Sequence, residues 1–153
     1  MKIIYAQEKI DIMGKSIFLA GPTPRKLDVQ SWRPKALKMI NESSFKGTVL
    51  LPEFKDRKNF TKNFAYDKQI EWELQSMKEA DKIVFWIDRH LPDMPAFTTN
   101  TEFGYWVAKQ PSKIILGIPD GSEKCDYIRY LAKENNIVVY ETFSEIIEAI
   151  KTL

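Results

Sequence analysis

Short apolar runs separated by amphipathic stretches set the pattern of this chain. Ser16–Ala20 is such a run, closed by the turn signal Gly21-Pro22, and residues 48–51, 82–87, 114–118 and 137–140 repeat the form. Runs of this length bounded by breakers predict strands. Between them apolar positions recur at helical spacing: Trp32, Ala36, Leu37 and Ile40, with Pro34 near the first turn, then residues 65–80, then a stretch through Phe103, Trp106 and Val107. Two more helices are expected at 127–134 and 143–153, the last with Ser144 as a candidate N-cap. Strict alternation of strand and helix predicts an α/β fold in one domain, residues 1–153: a doubly wound sheet of about five parallel strands with helices on both faces. Ligands in such sheets bind beyond the carboxyl ends of the strands. Chemistry is therefore expected in the segments 21–25, 52–62, 88–102 and 119–126, which are unusually polar or carry proline.

Composition narrows the class. With 153 residues, 44% hydrophobic and 29% charged, the chain has the balance of a globular protein that buries a core without disulfide or metal. Cys125 is the single cysteine, so no intrachain disulfide can form and a reducing compartment is expected. A formal charge of +2, from 23 basic and 21 acidic residues, gives no footprint for a nucleic-acid polymer. The first thirteen residues are broken by Lys2, Gln7, Glu8, Lys9 and Asp11, unlike the apolar run of a signal peptide. No stretch approaches the ~20 apolar residues of a membrane span. A cytoplasmic protein with no membrane partner is the expectation.

Two carboxylates occupy awkward positions. Glu73 sits among Ile70, Leu74 and Met77, an i, i+4, i+7 stripe, and so falls on the apolar side of its helix. Burying a lone carboxylate is costly, so it either flanks the core and reaches water or opens onto a cavity. Glu102 admits two readings. Thr99-Asn100-Thr101-Glu102 matches a capping box, Thr99 at the N-cap and Glu102 at N3. The same position, at a helix N-terminus past a strand end, would hold an ionised carboxylate in the binding crevice, where it could attack an anomeric carbon. His90 has no second histidine or cysteine at ligand spacing, so no metal is expected, and there is no GxGxxG, GxxxxGK[ST] or GxSxG motif. No cofactor is implied. Trp72, Trp86 and Trp106 read as core or near-core, though a tryptophan beside a crevice can stack on a base.

Three motifs in order then carry a resemblance. Ile17-Phe18-Leu19-Ala20-Gly21-Pro22, Gln69-Ile70-Glu71-Trp72-Glu73 and Thr98-Thr99-Asn100-Thr101-Glu102-Phe103-Gly104 resemble the nucleoside 2-deoxyribosyltransferases, from about residue 15 to 120. That resemblance implies a flavodoxin-like fold, a homo-oligomer, and a retaining double displacement on a deoxynucleoside with a free nucleobase as second substrate. Glu102 falls on the family's nucleophile and Glu73 on its base-contacting acid. Phe18, Gly21, Pro22, Gln69, Trp72, Asp93, Asn100 and Asp126 are the implied substrate-binding positions, Asp126 toward a neighbouring subunit. Phe18 replaces the tyrosine by which several relatives orient the nucleophile, leaving Tyr105 or backbone groups to serve. Ala96 stands where some relatives have a sugar-binding aspartate, with Asp93 or Asn100 as substitutes, and where related monophosphate hydrolases use serines. Arg25 and Arg89 are candidate phosphate contacts. Deoxyribosyl transfer is the leading expectation. Alternatives are an N-glycosidase acting on deoxynucleosides or their 5'-monophosphates, and a non-catalytic nucleotide-binding module.

Overall fold

The computed structural model describes residues 1–26, 28–55 and 65–153. Most of the basic segment 53–64 expected to form a loop, including Arg57, Lys58 and Lys62, lies outside the described residues. Six parallel strands form the sheet: β1 (Lys2–Tyr5), β2 (Ser16–Ala20), β3 (Thr48–Leu51), β4 (Lys82–Trp86), β5 (Ile114–Gly117) and β6 (Val139–Tyr140), in the order β1-β3-β2-β4-β5-β6. Five α-helices are described, α1 (Arg33–Glu42), α2 (Tyr66–Glu79), α3 (Phe97–Lys109), α4 (Asp126–Glu134) and α5 (Phe143–Lys151). This is the α/β, flavodoxin-like arrangement. No described helix is long and apolar enough to cross a membrane.

The central strands are apolar at successive positions because both faces are covered. Ile17, Leu19, Val49, Val84 and Ile115 pack against Ile40 of α1 and Ile146 and Ile150 of α5. On the opposite face, Phe18, Leu50, Phe85 and Leu116 meet Trp72 and Met77 of α2, Phe103 and Trp106 of α3, and Ile128 of α4. Each large side chain so buried contributes about 1.5–3 kcal/mol of transfer free energy.

Four local expectations are corrected. The sheet has a sixth strand, β1, which pairs only with β3, from Lys2↔Thr48 to Tyr5↔Leu51. Its half-buried residues leave a weaker pattern than a two-sided strand. The buried face of α2 is Gln69, Trp72, Ser76 and Met77, whereas Ile70 and Leu74 are 37% and 49% exposed, so the expected stripe lies off the core. Helix α5 is capped not by Ser144 but by Thr142, in a capping box with Glu145. Helix α3 starts at Phe97, two residues before Thr99, behind Ala96 in left-handed geometry (φ 58°, ψ 36°) and with no side-chain cap bond. The expected Thr99/Glu102 capping box therefore does not form. Glu102 lies in the second turn.

The chain passes from β2 to β3 on one side, then crosses back through α2 to β4 on the other side of β2. The carboxyl ends of β2 and β4 thus part at a topological switch point, where such sheets bind ligands. Gly21 follows β2 directly there (φ +156°). A Cβ on it would lie 2.3 Å from the Trp86 carbonyl oxygen and 2.7 Å from the Trp32 ring, so only glycine lets the loop turn this closely.

Candidate active site

A cavity of about 250 Å³ opens at the switch point, walled by the end of β2, the Gly21–Pro22 turn, the 95–99 segment and one face of α2. Small-molecule sites run upward from roughly this size. Phe18, Gly21, Pro22, Glu73 and Glu102 all line it.

Its wall hangs on Arg33, a residue no spacing argument singled out. The side chain is buried (1% exposed) and nearly saturated. Its Nε donates to the Leu19 carbonyl (3.2 Å), one terminal nitrogen to Gly21 O (2.8 Å), and the other to Thr23 Oγ1 (3.1 Å) and Glu53 Oε1 (2.9 Å). The Trp32 ring lies 4.9 Å from the guanidinium carbon, and the Trp32 indole donates to Pro22 O (3.1 Å). A planar fork of five donors suits a turn whose carbonyls converge from several directions. The signal available in sequence was a charged residue beside Trp32 and Pro34 at a helix start, which solvent exposure would explain equally well.

Glu73 and Glu102 face the cavity from α2 and α3. Burial raises the Glu73 carboxyl above its ordinary range, with a hydrogen bond from Gln69 and the charge of Arg33 opposing. Gln69 Nε2 donates to Glu73 Oε1 at 2.7 Å. Burial and the nearby Glu73 charge push Glu102 from the ordinary 4.5 up to about 8, again with Arg33 opposing. The expectation of a carboxylate ionised by a helix N-terminus is corrected: the dipole effect fades within the first turn, and Glu102 lies beyond it. Among the described residues Glu102 receives no hydrogen bond. Two carboxyls facing one cavity, both raised by burial, are an arrangement from which acid and base roles can be set apart.

The remaining predicted positions divide. Gln69 is buried behind Glu73 and holds it without lining the cavity. Trp72 is core, its ring 6.3 Å from Phe18 and its indole donating to Glu8 O (2.8 Å), so it offers no face to a base. Asp93 pairs with Lys26 (2.8 Å) and its carbonyl accepts from the Arg25 amide (3.0 Å), tying two loops together away from the cavity lining. Asn100 is exposed and accepts from Arg89 instead. Arg89 is itself buried, donating to Lys124 O (2.7 Å), and drops out as a phosphate contact. Asp126 lies exposed in the first turn of α4, outside the cavity lining. Tyr105 cannot replace a hydroxyl at Phe18, since it is exposed and accepts from Lys109 Nζ (2.7 Å).

Fold and site together define a doubly wound α/β protein with a half-buried pair of glutamates at its switch point. The family model described as nucleoside 2-deoxyribosyltransferase like matches residues 14–121, more than half of the chain, and the protein belongs to that family. Both glutamates and Arg33 fall inside the matched segment; β1, α4, β6 and α5 fall outside it. No curated protein matches the chain.

The electrostatics predict a stability signature. A carboxyl whose folded pKa is raised binds its proton more tightly folded than unfolded, so stability falls as pH rises from about 4.5 through about 8. Glu102→Gln removes the titration. It is expected to match the parent near pH 4.5 and to exceed it by on the order of 2–4 kcal/mol above pH 8, several degrees in Tm. Thermal melts at the two pH values check this, and an equal difference at both would contradict it.

Proposed function

We propose that the protein transfers a 2-deoxyribosyl group between nucleobases through a covalent glycosyl ester on Glu102. Support comes from one observation above all: two half-buried glutamates face one cavity at the switch point, on the positions that the motif resemblance assigns to nucleophile and acid. The carboxylate oxygen of Glu102 attacks C1' of the sugar as the C1'–N bond breaks. The bonding pair leaves with the base, which takes a proton from Glu73. An incoming base nitrogen then attacks C1', the C1'–O ester bond breaks, and the Glu102 carboxylate returns; the proton of the incoming base goes back to Glu73. The transition state resembles an oxocarbenium ion, which a neighbouring carboxylate stabilises, and the missing 2'-hydroxyl eases its formation.

The first step needs a proton on Glu73. Gln69 occupies one Glu73 oxygen as an acceptor. The other is then the one left to carry the proton toward a ring nitrogen. Once Glu73 is neutral, its repulsion of Glu102 disappears while the attraction of Arg33 persists; both changes favour the ionised Glu102 that attacks the sugar, against the burial that opposes it.

Incubating the protein with a deoxynucleoside and a different free base is expected to yield the exchanged nucleoside, and Glu102→Ala to abolish turnover in a folded protein. Turnover should decline above about pH 8 as the pair loses its proton. Glu73→Gln should slow it by roughly 10²–10⁴-fold and remove that alkaline decline. Neither exchange nor base release, or a fully active Glu102→Ala, would contradict the proposal; base release without exchange would make water the acceptor.

The homo-oligomer implied by the resemblance also has a candidate face. Tyr66, Ile70 and Leu74 recur at i, i+4, i+8 on α2 and are exposed, an apolar stripe that a second copy would cover. Sedimentation at micromolar concentration should give a species larger than 17.9 kDa, reduced in size by Leu74→Glu. A monomer would overturn this assignment.

A further inference from the structure

A second cavity, of about 320 Å³, lies on the other face of the sheet, among the end of β4, helix α1 and the start of α5. Trp32 and the Gly21–Pro22 turn stand between it and the two glutamates: the Trp32 indole donates to Pro22 O (3.1 Å). Three aromatic side chains line the space, Trp32, Trp86 and Phe143. Their arrangement follows from the fold. Trp86 ends β4 and lies against Gly117 of β5, where a Cβ would fall 2.4 Å from its ring. Phe143 opens α5, with its centroid 5.2 Å from Trp86 at 82° and 6.1 Å from Trp32 at 51°.

That geometry discriminates between ligands. A flat heterocycle needs parallel ring faces to stack between, and neither pair with Phe143 is parallel. Rings meeting at steep angles form a corner instead, and the negative ring faces of such a corner attract a cation.

Charge points the same way, independently of the rings. Asp88 and Glu141 line the cavity with two carboxylates, against one lysine, Lys35. One Asp88 oxygen meets His90 (2.7 Å), and the other has no partner among the described residues. Glu141 is exposed, and only its backbone N–H is engaged, donating to Glu145 Oε2 (3.1 Å). Lys35 forms an ion pair with neither carboxylate. The positive end of the α5 dipole is already met by Glu145, which accepts from the Thr142 amide (2.8 Å), and Arg33 behind Trp32 is paired with Glu53 (2.9 Å). An excess of negative charge therefore remains around an aromatic corner.

We propose that this corner is a binding site for a small organic cation carrying an alkylammonium group, held over the Trp32, Trp86 and Phe143 rings and countered by Asp88 and Glu141. The site uses neither Glu73 nor Glu102, so it stands apart from the transfer chemistry.

Calorimetry on the full chain in an amine-free buffer tests it. Choline is compared with 3,3-dimethyl-1-butanol, which has its shape without its charge. Choline is expected to bind saturably and at least tenfold tighter than the neutral isostere. Phe143→Leu keeps apolar bulk while removing a ring, and Glu141→Gln removes a charge at an exposed position. Each should weaken choline several-fold and leave the isostere unchanged, a split that general loosening of the fold would not produce. Spermidine, whose ammonium groups donate hydrogen bonds, is the second cation: tighter binding than choline assigns the site to polyamines, weaker binding to quaternary ammonium compounds. Equal affinity for choline and the isostere, no saturable binding of either cation, or choline binding that survives both substitutions would overturn the site.

Discussion

The site depends on one buried cation. A guanidinium taken out of water costs several kcal/mol, and Arg33 recovers this only by satisfying nearly every donor at once. Those partners are the carbonyls at the end of β2 and the carboxylate of Glu53 just past β3, so the same bonds dictate where the Gly21–Pro22 turn runs. That turn is half of the cavity wall. Replacing such a pair with apolar residues is often neutral for stability. What Arg33 contributes that an apolar residue cannot is a fixed loop shape and a positive charge within reach of both glutamates. The geometry that encloses the acids thus also moderates their charge.

Taking two carboxyls half out of water runs against the rest of the fold. The core on both sheet faces is apolar and supplies the stability from which this local penalty is drawn. Glu102, without a hydrogen bond from any described residue, carries most of the penalty. Groups left poorly satisfied in an otherwise consistent structure mark places where activity rather than folding set the residue. A ligand with a base nitrogen for Glu73 and an electrophilic carbon for Glu102 relieves both groups together.

Much of this was legible before any coordinates. The central strands announce themselves because two-sided burial forces consecutive apolar residues, and Glu73 and Glu102 stand out as carboxylates where apolar or crevice positions were expected. Harder to read were features in which a local rule yields to tertiary context. β1 is an edge strand whose alternation is too short to register. Thr99-Asn100-Thr101-Glu102 satisfies a capping pattern, yet Ala96 starts the helix two residues earlier in left-handed geometry, which leaves those threonines inside the helix. Ile70 and Leu74 form a helical stripe that faces away from the core, so Glu73 was placed correctly by an inaccurate periodicity. Arg33 left no trace, because an arginine beside a proline at a helix start is ordinarily solvated. Trp72, Asn100 and Arg89, each plausible beside a crevice, are occupied elsewhere in the fold.

The claim on which all of this turns is a covalent bond between sugar and protein. Mixing enzyme with a 2'-deoxynucleotide or deoxynucleoside, quenching in acid within one turnover and weighing the intact protein tests it directly. A mass gain of one deoxyribosyl group, with or without its 5-phosphate, mapped by fragmentation to Glu102 and missing in Glu102→Gln, is the expected result. Base released with no adduct on any glutamate would mean that water attacks the sugar without the protein ever holding it.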